Sequence, residues 1–359
     1  MIDPRRPSPF IELASVEAWD AWFRWREEAD LRDLSIEDTW RRVSAALASV
    51  EPRDEATMWQ IRFMDAFASW RLLPDERLLA DAGTGRMTYR NGELFAALNA
   101  ASFVPMDCGA TPAPDLAALT ECAALAVRVL DNVALLAGIG TPRLHIGILG
   151  IADALALLHL PYDGDAGRAQ AASMARALSE GCLRGSILLA ITRGARNGDT
   201  QAAIARAESR GAPRDLLRDA ARHGMRHAQL TSITSQPRLA LLANDTADAA
   251  DPLRGENHAN VITTADGQRT VRSSGYALNM LRACACGHGG RPDTLANLPW
   301  RAQIAMRAAV QPWIDEPIDY PLLATGDPGE AQRLEARKLA ARHGLGDPSW
   351  RDAAALQVL

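Results

Sequence analysis

Between Asp115 and Asp153 two hydrophobic patterns run back to back, and their order constrains the fold. Leu116, Leu119, Ala123, Val127, Leu130 and Val133 recur at spacings of three and four, which predicts a long amphipathic helix from Asp115 to about Leu136. Gly138, Gly140 and Pro142 end it. The next run, Arg143-Leu-His-Ile-Gly-Ile-Leu-Gly-Ile-Ala-Asp153, reads as a buried strand passing into a helix.

The flanking regions are mostly helical. Trp19, Trp22 and Trp25 recur every third residue, which sets them along one side of a helix. Ser35-Ile-Glu-Asp38 offers an N-cap and early carboxylates for a second helix, with Trp40, Val43, Ala46 and Leu47 inward. A third, from about Asp54 to Trp70, buries Trp59, Phe63 and Phe67, and Pro74 closes the region. Residues 81–114 read as loop or short strand. Helices follow at about 165–194 and 199–223. Leu230 to Ala243 reads as a strand segment containing Pro237, and Asp266-Gly267 marks a hairpin. Asn297–Trp313 and Glu330–His343 are the last helices. The fold class is therefore mainly α with a small β component. Three regions are expected: an N-terminal helical segment over 1–80, a central body over 81–325 and a C-terminal helical tail over 326–359.

Composition narrows the function. A chain of 359 residues, 48% hydrophobic and 23% charged, can bury a real core. A net charge of -5, with no Lys/Arg-dense block, argues against nucleic acid as a partner. No apolar run approaches the length that spans a bilayer, so no membrane is expected. Met1 to Phe10 lacks the apolar region of a secretory signal, which predicts the cytoplasm. The five scattered cysteines, Cys108, Cys122, Cys182, Cys284 and Cys286, do not form a disulfide framework.

Four stretches, in order, resemble the large chain of ribonucleotide reductases, nearest the adenosylcobalamin-dependent class II enzymes. Leu72-Leu-Pro-Asp-Glu-Arg-Leu-Leu-Ala-Asp-Ala-Gly-Thr84 is similar to the family's "FLPxGRxLAxAGT". Leu98-Asn-Ala-Ala-Ser102 leads to Val127-Arg-Val-Leu-Asp-Asn-Val133, similar to "AVRxLDNVI". Arg143 to Asp153 resembles "RxIGIGVMGLAD", and Leu157 to Tyr162 resembles "ALLxLPY". Gly224-Met-Arg-His-Ala-Gln-Leu-Thr231 resembles the start of "GLRNxxLTAxAPTGTIS". A fifth and weaker likeness covers Ala302 to Ile318. Together they span most of residues 35–320. The resemblance implies a truncated remnant of the reductase α/β barrel behind the N-terminal helical segment.

The departures carry the functional reading. In the family, much of a ten-stranded barrel separates the first two stretches. Here only Gly85 to Ala97 does. The missing part carries one redox cysteine and the "NxCxE" finger loop, whose cysteine becomes the radical that abstracts a ribose hydrogen. Asn91-Gly92-Glu93 is the nearest echo and has no cysteine. The partner of the redox pair would precede Asn99, and that residue is Leu98. A carboxylate such as Glu93 can move a proton but cannot store an unpaired electron as sulfur does. Adenosylcobalamin, which the resemblance implies as the radical source, has no recognisable site, so the cofactor stays open. The run matching the phosphate loop is Thr234-Ser-Gln-Pro-Arg-Leu-Ala240. Pro237 stands for the turn glycine, which removes a donor and fixes φ. Thr234, Ser235 and Arg238 are what remains of a nucleotide grip, Arg238 as a charge partner for phosphate.

Other candidates have plainer readings. Cys108 lacks a flanking Asn and Glu and reads as an ordinary thiol. Cys284-Ala-Cys286-Gly-His288 lacks the second pair that structural zinc wants, and no metal is expected there. The family's terminal cysteine pair has no counterpart in Ala-Leu-Gln-Val-Leu359. His145 reads as a packed histidine. His223 and His227 are separated by a helix-breaking Gly224. The expected protein is reductase-like, catalytically inactive alone, and structural or regulatory in role. Two alternatives stand beside it: a nucleotide- or cobalamin-binding enzyme of changed chemistry using Arg238, Cys108 or Glu93, and an accessory chain docked on a complete reductase. A barrel this shortened cannot close, so its strand edges need covering, most simply in a homodimer.

Overall fold

The computed structural model describes residues 9–28, 30–87, 92–105, 112–196, 200–284, 291–353 and 357–358. The mainly helical expectation holds, and no closed barrel occurs among the described residues. The first helix, α1 (Leu13–Trp22), gives way at Phe23, whose φ of -120° and ψ of -19° leave helical geometry. Trp25 therefore lies beyond the helix, which corrects the three-tryptophan expectation. Trp19 and Trp22 instead anchor α1 through their indole N–H groups, to Thr39 Oγ1 and to the Thr263 carbonyl, each at 3.0 Å. Two short strands, β1 (Arg26–Glu27) and β2 (Asp30–Leu31), form an antiparallel ribbon.

Helix α2 (Ile36–Ala48) starts as the sequence predicts. Asp38 reaches back to accept from the Ser35 N–H at 3.0 Å, closing a capping box. Helix α3 (Ala56–Ala68) buries Phe63 and Phe67, while Trp59 stays half-buried under the Arg128 guanidinium.

Next come β3 (Leu72–Pro74), α4 (Glu76–Asp81), β4 (Glu93–Asn99), α5 (Leu116–Leu136) and β5 (Arg143–Leu149). They build a mixed sheet of order β3-β4-β5, with β3 antiparallel to β4 and β4 parallel to β5. Within 81–114, read as loop or short strand, the strand is β4, whose apolar residues lie between glycine- and proline-rich flanks. At the end of β5, Gly150 takes φ +69° and turns the chain into α6 (Ile151–Leu157); a Cβ there would lie 2.5 Å from Asn99 Oδ1.

Helix α7 (Asp165–Arg193) lies along α5 at close range. A Cβ on Gly185 would sit 2.7 Å from the Ala124 carbonyl, and one on Gly181 would overlap Thr120. The single helix expected over 199–223 is two, α8 (Thr200–Ser209) and α9 (Arg214–His223), broken at Gly211 (φ +72°) and Pro213.

The strand expected over Leu230 to Ala243 is confined to its start. Thr231 bridges Ile146 of β5 in parallel, and Pro237 then opens a helix, α10 (Pro237–Leu242). Its fixed φ and missing N–H suit the first helical position, which the strand reading overlooked. The predicted hairpin is present as β6 (His258–Thr264) and β7 (Gly267–Ser273). The remainder is α11 (Tyr276–Ala283), α12 (Trp300–Val310), β8 (Leu322–Ala324), α13 (Glu330–Arg342), β9 (Trp350–Asp352) and β10 (Gln357–Val358). Strand β8 pairs with β9, and β10 with β6, both in parallel. One hydrophobic core runs from Trp19 to Tyr320. No helix among the described residues is long and apolar enough to cross a membrane.

Candidate functional site

Five stretches far apart in the chain meet around the β3-β4-β5 sheet. Leu72 pairs with Leu98 across β3 and β4, and the Asn99 N–H donates to the Arg71 carbonyl at 3.1 Å. Ile146 of β5 donates its N–H to the Leu230 carbonyl at 2.9 Å. Asp315 clamps that junction: its carboxylate accepts from the N–H groups of Leu230 (3.0 Å) and Thr231 (3.1 Å), and its own N–H donates to Thr231 Oγ1 (2.9 Å).

A buried ionic centre joins α5 to the segment after α9. Asp131 accepts from Arg193 Nη1 and Arg226 Nε, both at 2.7 Å, and contacts His227 Nε2 at 2.9 Å. Burial alone would raise the Asp131 pKa. The bonds from His227, Arg226 and Arg193 outweigh it and hold the carboxyl well below its usual range. Beside it, Glu51 takes a bidentate grip from Arg128, 2.7 Å on each oxygen, and a bond from Asn132 at 2.8 Å.

At the outer end of β4 and β5 a second polar group forms. His145, stacked on Phe95 at 4.6 Å, lies between two carboxylates. Its Nε2 meets Glu93, and its Nδ1 lies 3.1 Å from Glu316 Oε2. Gln229 donates to Glu316, and Arg143 Nη2 reaches Gln229 Oε1 at 2.9 Å. Among the described residues no His/Cys/Asp/Glu cluster could hold a metal ion.

Between β5 and the 230–236 segment, little space is left. The recess lined by His145, Gly147, Ser232, Thr234 and Gln236 has a volume of about 10 Å³, room for a single water. A Cβ on Gly147 would already lie 2.8 Å from the Ser232 carbonyl. At the entry to α10 the Asp248 carboxylate accepts from the Gln236 N–H at 2.7 Å and from the Ser235 hydroxyl at 2.6 Å.

Residues 94–265 match the family described as ribonucleotide reductase, barrel domain. Over that stretch the chain is similar to the reductase barrel. The match takes in the second, third and fourth of the five converging stretches, with β5 and nearly all of β4, and the fold is consistent with a truncated remnant of such a barrel. No curated protein matches the chain.

Of the site residues read from the sequence, Glu93 lies beside His145 at the sheet's outer end. Thr234 accepts from the Gln236 side chain at 3.0 Å, and Ser235 is held by Asp248. Arg238 lies over the Trp22 ring and 3.3 Å from Glu76. Cys108, Asn91, Cys286 and His288 lie outside the described residues. Cys122 and Cys182 sit buried where α5 meets α7, and burial raises both thiols, Cys122 to about 12. Sequence reasoning missed Glu316, Gln229 and the Asp131 centre. Each of these residues stands in a stretch of resemblance, but the side chains they meet across the fold lie 84 or more residues away, as Asp315 from Thr231 and Gln229 from Glu316.

Proposed function

We propose that this chain is a ribonucleotide-reductase-like protein that does not reduce ribonucleotides by itself and serves a structural or regulatory role. The observation that carries the reading is the recess of about 10 Å³ between β5 and the 230–236 segment. A ribonucleotide needs a pocket of several hundred Å³. The Asp248 carboxylate on the α10 entry opposes a phosphate there, because two anions on one backbone donor repel. Leu98, at the position of a redox cysteine, supports the same reading. Adenosylcobalamin does not fit the residues around this recess, which holds no more than a water, and no step is derived through it. A homodimer, or a complete reductase chain as partner in the cytoplasm, would cover the sheet edges that the shortened barrel leaves.

The test is direct. The purified chain is incubated with adenosylcobalamin, a dithiol and each ribonucleoside di- and triphosphate, and deoxynucleotides are quantified. No product above the protein-free blank is expected. Sustained turnover without a second protein would overturn the proposal.

A further inference from the structure

Residues 9–12 run outside any helix or strand before α1, and residues far along the chain grip each of them. The Pro9 carbonyl accepts from the Trp70 indole N–H at 3.1 Å and from the Asn244 side-chain N–H at 3.0 Å. The Ile11 N–H donates to Asn244 Oδ1 at 2.8 Å. One amide thus bonds a backbone acceptor and a backbone donor, as a neighbouring strand would. Between them the Phe10 ring lies 5.7 Å from Trp70 and 6.4 Å from Trp19. Glu12 does not cap its own helix. Its Oε1 accepts from the N–H groups of Ser274 (2.9 Å) and Gly275 (3.2 Å) and from the Asn279 side chain, at the start of α11.

This strap is shallow and its seat is not. None of residues 9–12 is buried, and Ile11 is 47% exposed, whereas Trp19, Asn244 and Gly275 are buried. Lifting the strap moves no buried residue. It does strip partners from the Asn244 amide, the Trp70 indole and the Ser274 and Gly275 N–H groups. Leaving such groups unpaired costs more than each bond contributes when made, so an empty seat favours any segment that restores them. Three demands stand in order along the seat: backbone groups at positions 9 and 11, a ring at position 10 and a carboxylate at position 12. In a site of this kind main-chain bonds supply affinity and side-chain pockets supply selectivity.

We propose that this seat is a peptide-binding groove kept self-occupied by the chain's own strap. Its partner is an extended segment of another protein that carries an aromatic ring and, two residues later, a carboxylate. The carboxylate is the complement of the positive end of α11, and the ring is the complement of the Trp19 and Trp70 faces. A tethered strap acts at an effective concentration of about millimolar, so a partner segment has to compete with it, and the strap gates binding. The inference does not rest on the reductase reading. Failure to bind peptide would leave that reading intact, and turnover of ribonucleotides would leave the groove intact.

The test uses the full chain with a weakened strap, Phe10→Ala with Glu12→Gln, and a fluorescent peptide of residues 7–13 read by anisotropy. The weakened chain is expected to bind the peptide about tenfold or more tighter than the unaltered chain, whose own strap competes. Peptides carrying Phe10→Ala or Glu12→Gln should each bind about tenfold more weakly, and Asn244→Ala added to the weakened chain should abolish binding. Should the weakened chain not fold, hydrogen exchange of the unaltered chain reads the same seat. Peptide at about 5 mM should then speed exchange of the Ile11 N–H about twofold or more, and the Phe10→Ala peptide should not. No binding by the folded weakened chain at about 1 mM peptide, equal affinity of the two chains, indifference to both peptide changes, binding retained with Asn244→Ala, or unchanged Ile11 exchange would each overturn the proposal.

Discussion

Asp131, in the C-terminal third of α5, accepts a 2.7 Å bond from Arg226 Nε, 95 residues further along the chain. The two belong to separate stretches of reductase resemblance, Val127–Val133 and Gly224–Thr231, and the contact fixes the helix behind the sheet to the segment that continues it. Both side chains are buried, so the pair matters through what happens when one member is lost.

Replacing Asp131 with Ala leaves Arg226 buried without its carboxylate and leaves Arg193 with Glu51 as its remaining acid. A loss of about 3–5 kcal/mol of unfolding free energy is expected, read from urea denaturation. A loss below about 1 kcal/mol would mean the arginines find other partners.

Stability should fall as pH rises from about 4 toward 7. Burial lifts Asp153 to about 7, with the Asp245 charge adding and the Ala247 and Ala277 N–H groups opposing. Burial also lifts Asp251 to about 7, with Asp248 adding and Arg307 opposing. A carboxyl with a raised folded pKa holds its proton more tightly when folded. Its contribution is complete below the unfolded pKa and disappears as pH passes the folded one. Each group gives a slope of about -1.4 kcal/mol per pH unit in that window. His227, lowered by burial, acts the other way just below its unfolded value, but two carboxyls outweigh one imidazole. Urea midpoints at pH 5, 6, 7 and 8 check the trend, and Asp153→Asn should flatten it.

The α5–α7 contact should not tolerate a side chain at Gly185. A Cβ there meets the Ala124 carbonyl at 2.7 Å, Ala124 Cα at 2.9 Å and Val127 Cβ at 3.0 Å, two of the three being backbone atoms. Gly185→Val is expected to cost about 1–3 kcal/mol or more. Gly140→Val, at a position with nothing within 4 Å, should cost far less in the same thermal-melting series.

Cys122 and Cys182 should be inert in the folded protein. Both are buried, with thiols raised by that burial, so the reactive thiolate is scarce. Iodoacetamide at pH 8, followed by peptide mass spectrometry, should leave both unlabelled until denaturant is added. Rapid native labelling would show that α5 and α7 separate readily.

Local patterns exposed much of the frame. The three-and-four spacing of Leu116 to Val133 specified α5, the unbroken apolar run from Arg143 specified β5, and Asp266-Gly267 specified the β6–β7 turn. Each is a short-range signal: a helix face, a strand buried on both sides, a turn that glycine permits. Local patterns failed where neighbouring residues give conflicting cues. Pro237 within an apolar stretch looked like a disturbed strand and proved to be the first residue of α10.

The candidate site was much less legible. Glu93 and His145 could be singled out, but not that they touch, nor that Glu316 completes the group 171 residues beyond His145. By itself the sequence determined which segments coil, which extend, and that Leu98 stands where a redox cysteine is expected, because covalent identity and local periodicity are properties of neighbours in the chain. Only the tertiary structure decided that Asp248 covers the α10 entry, that the space beside β5 shrinks to a single water, and that Arg193, Arg226 and His227 meet on Asp131. Those outcomes depend on distances between residues tens to hundreds of positions apart, which packing sets and local pattern does not record.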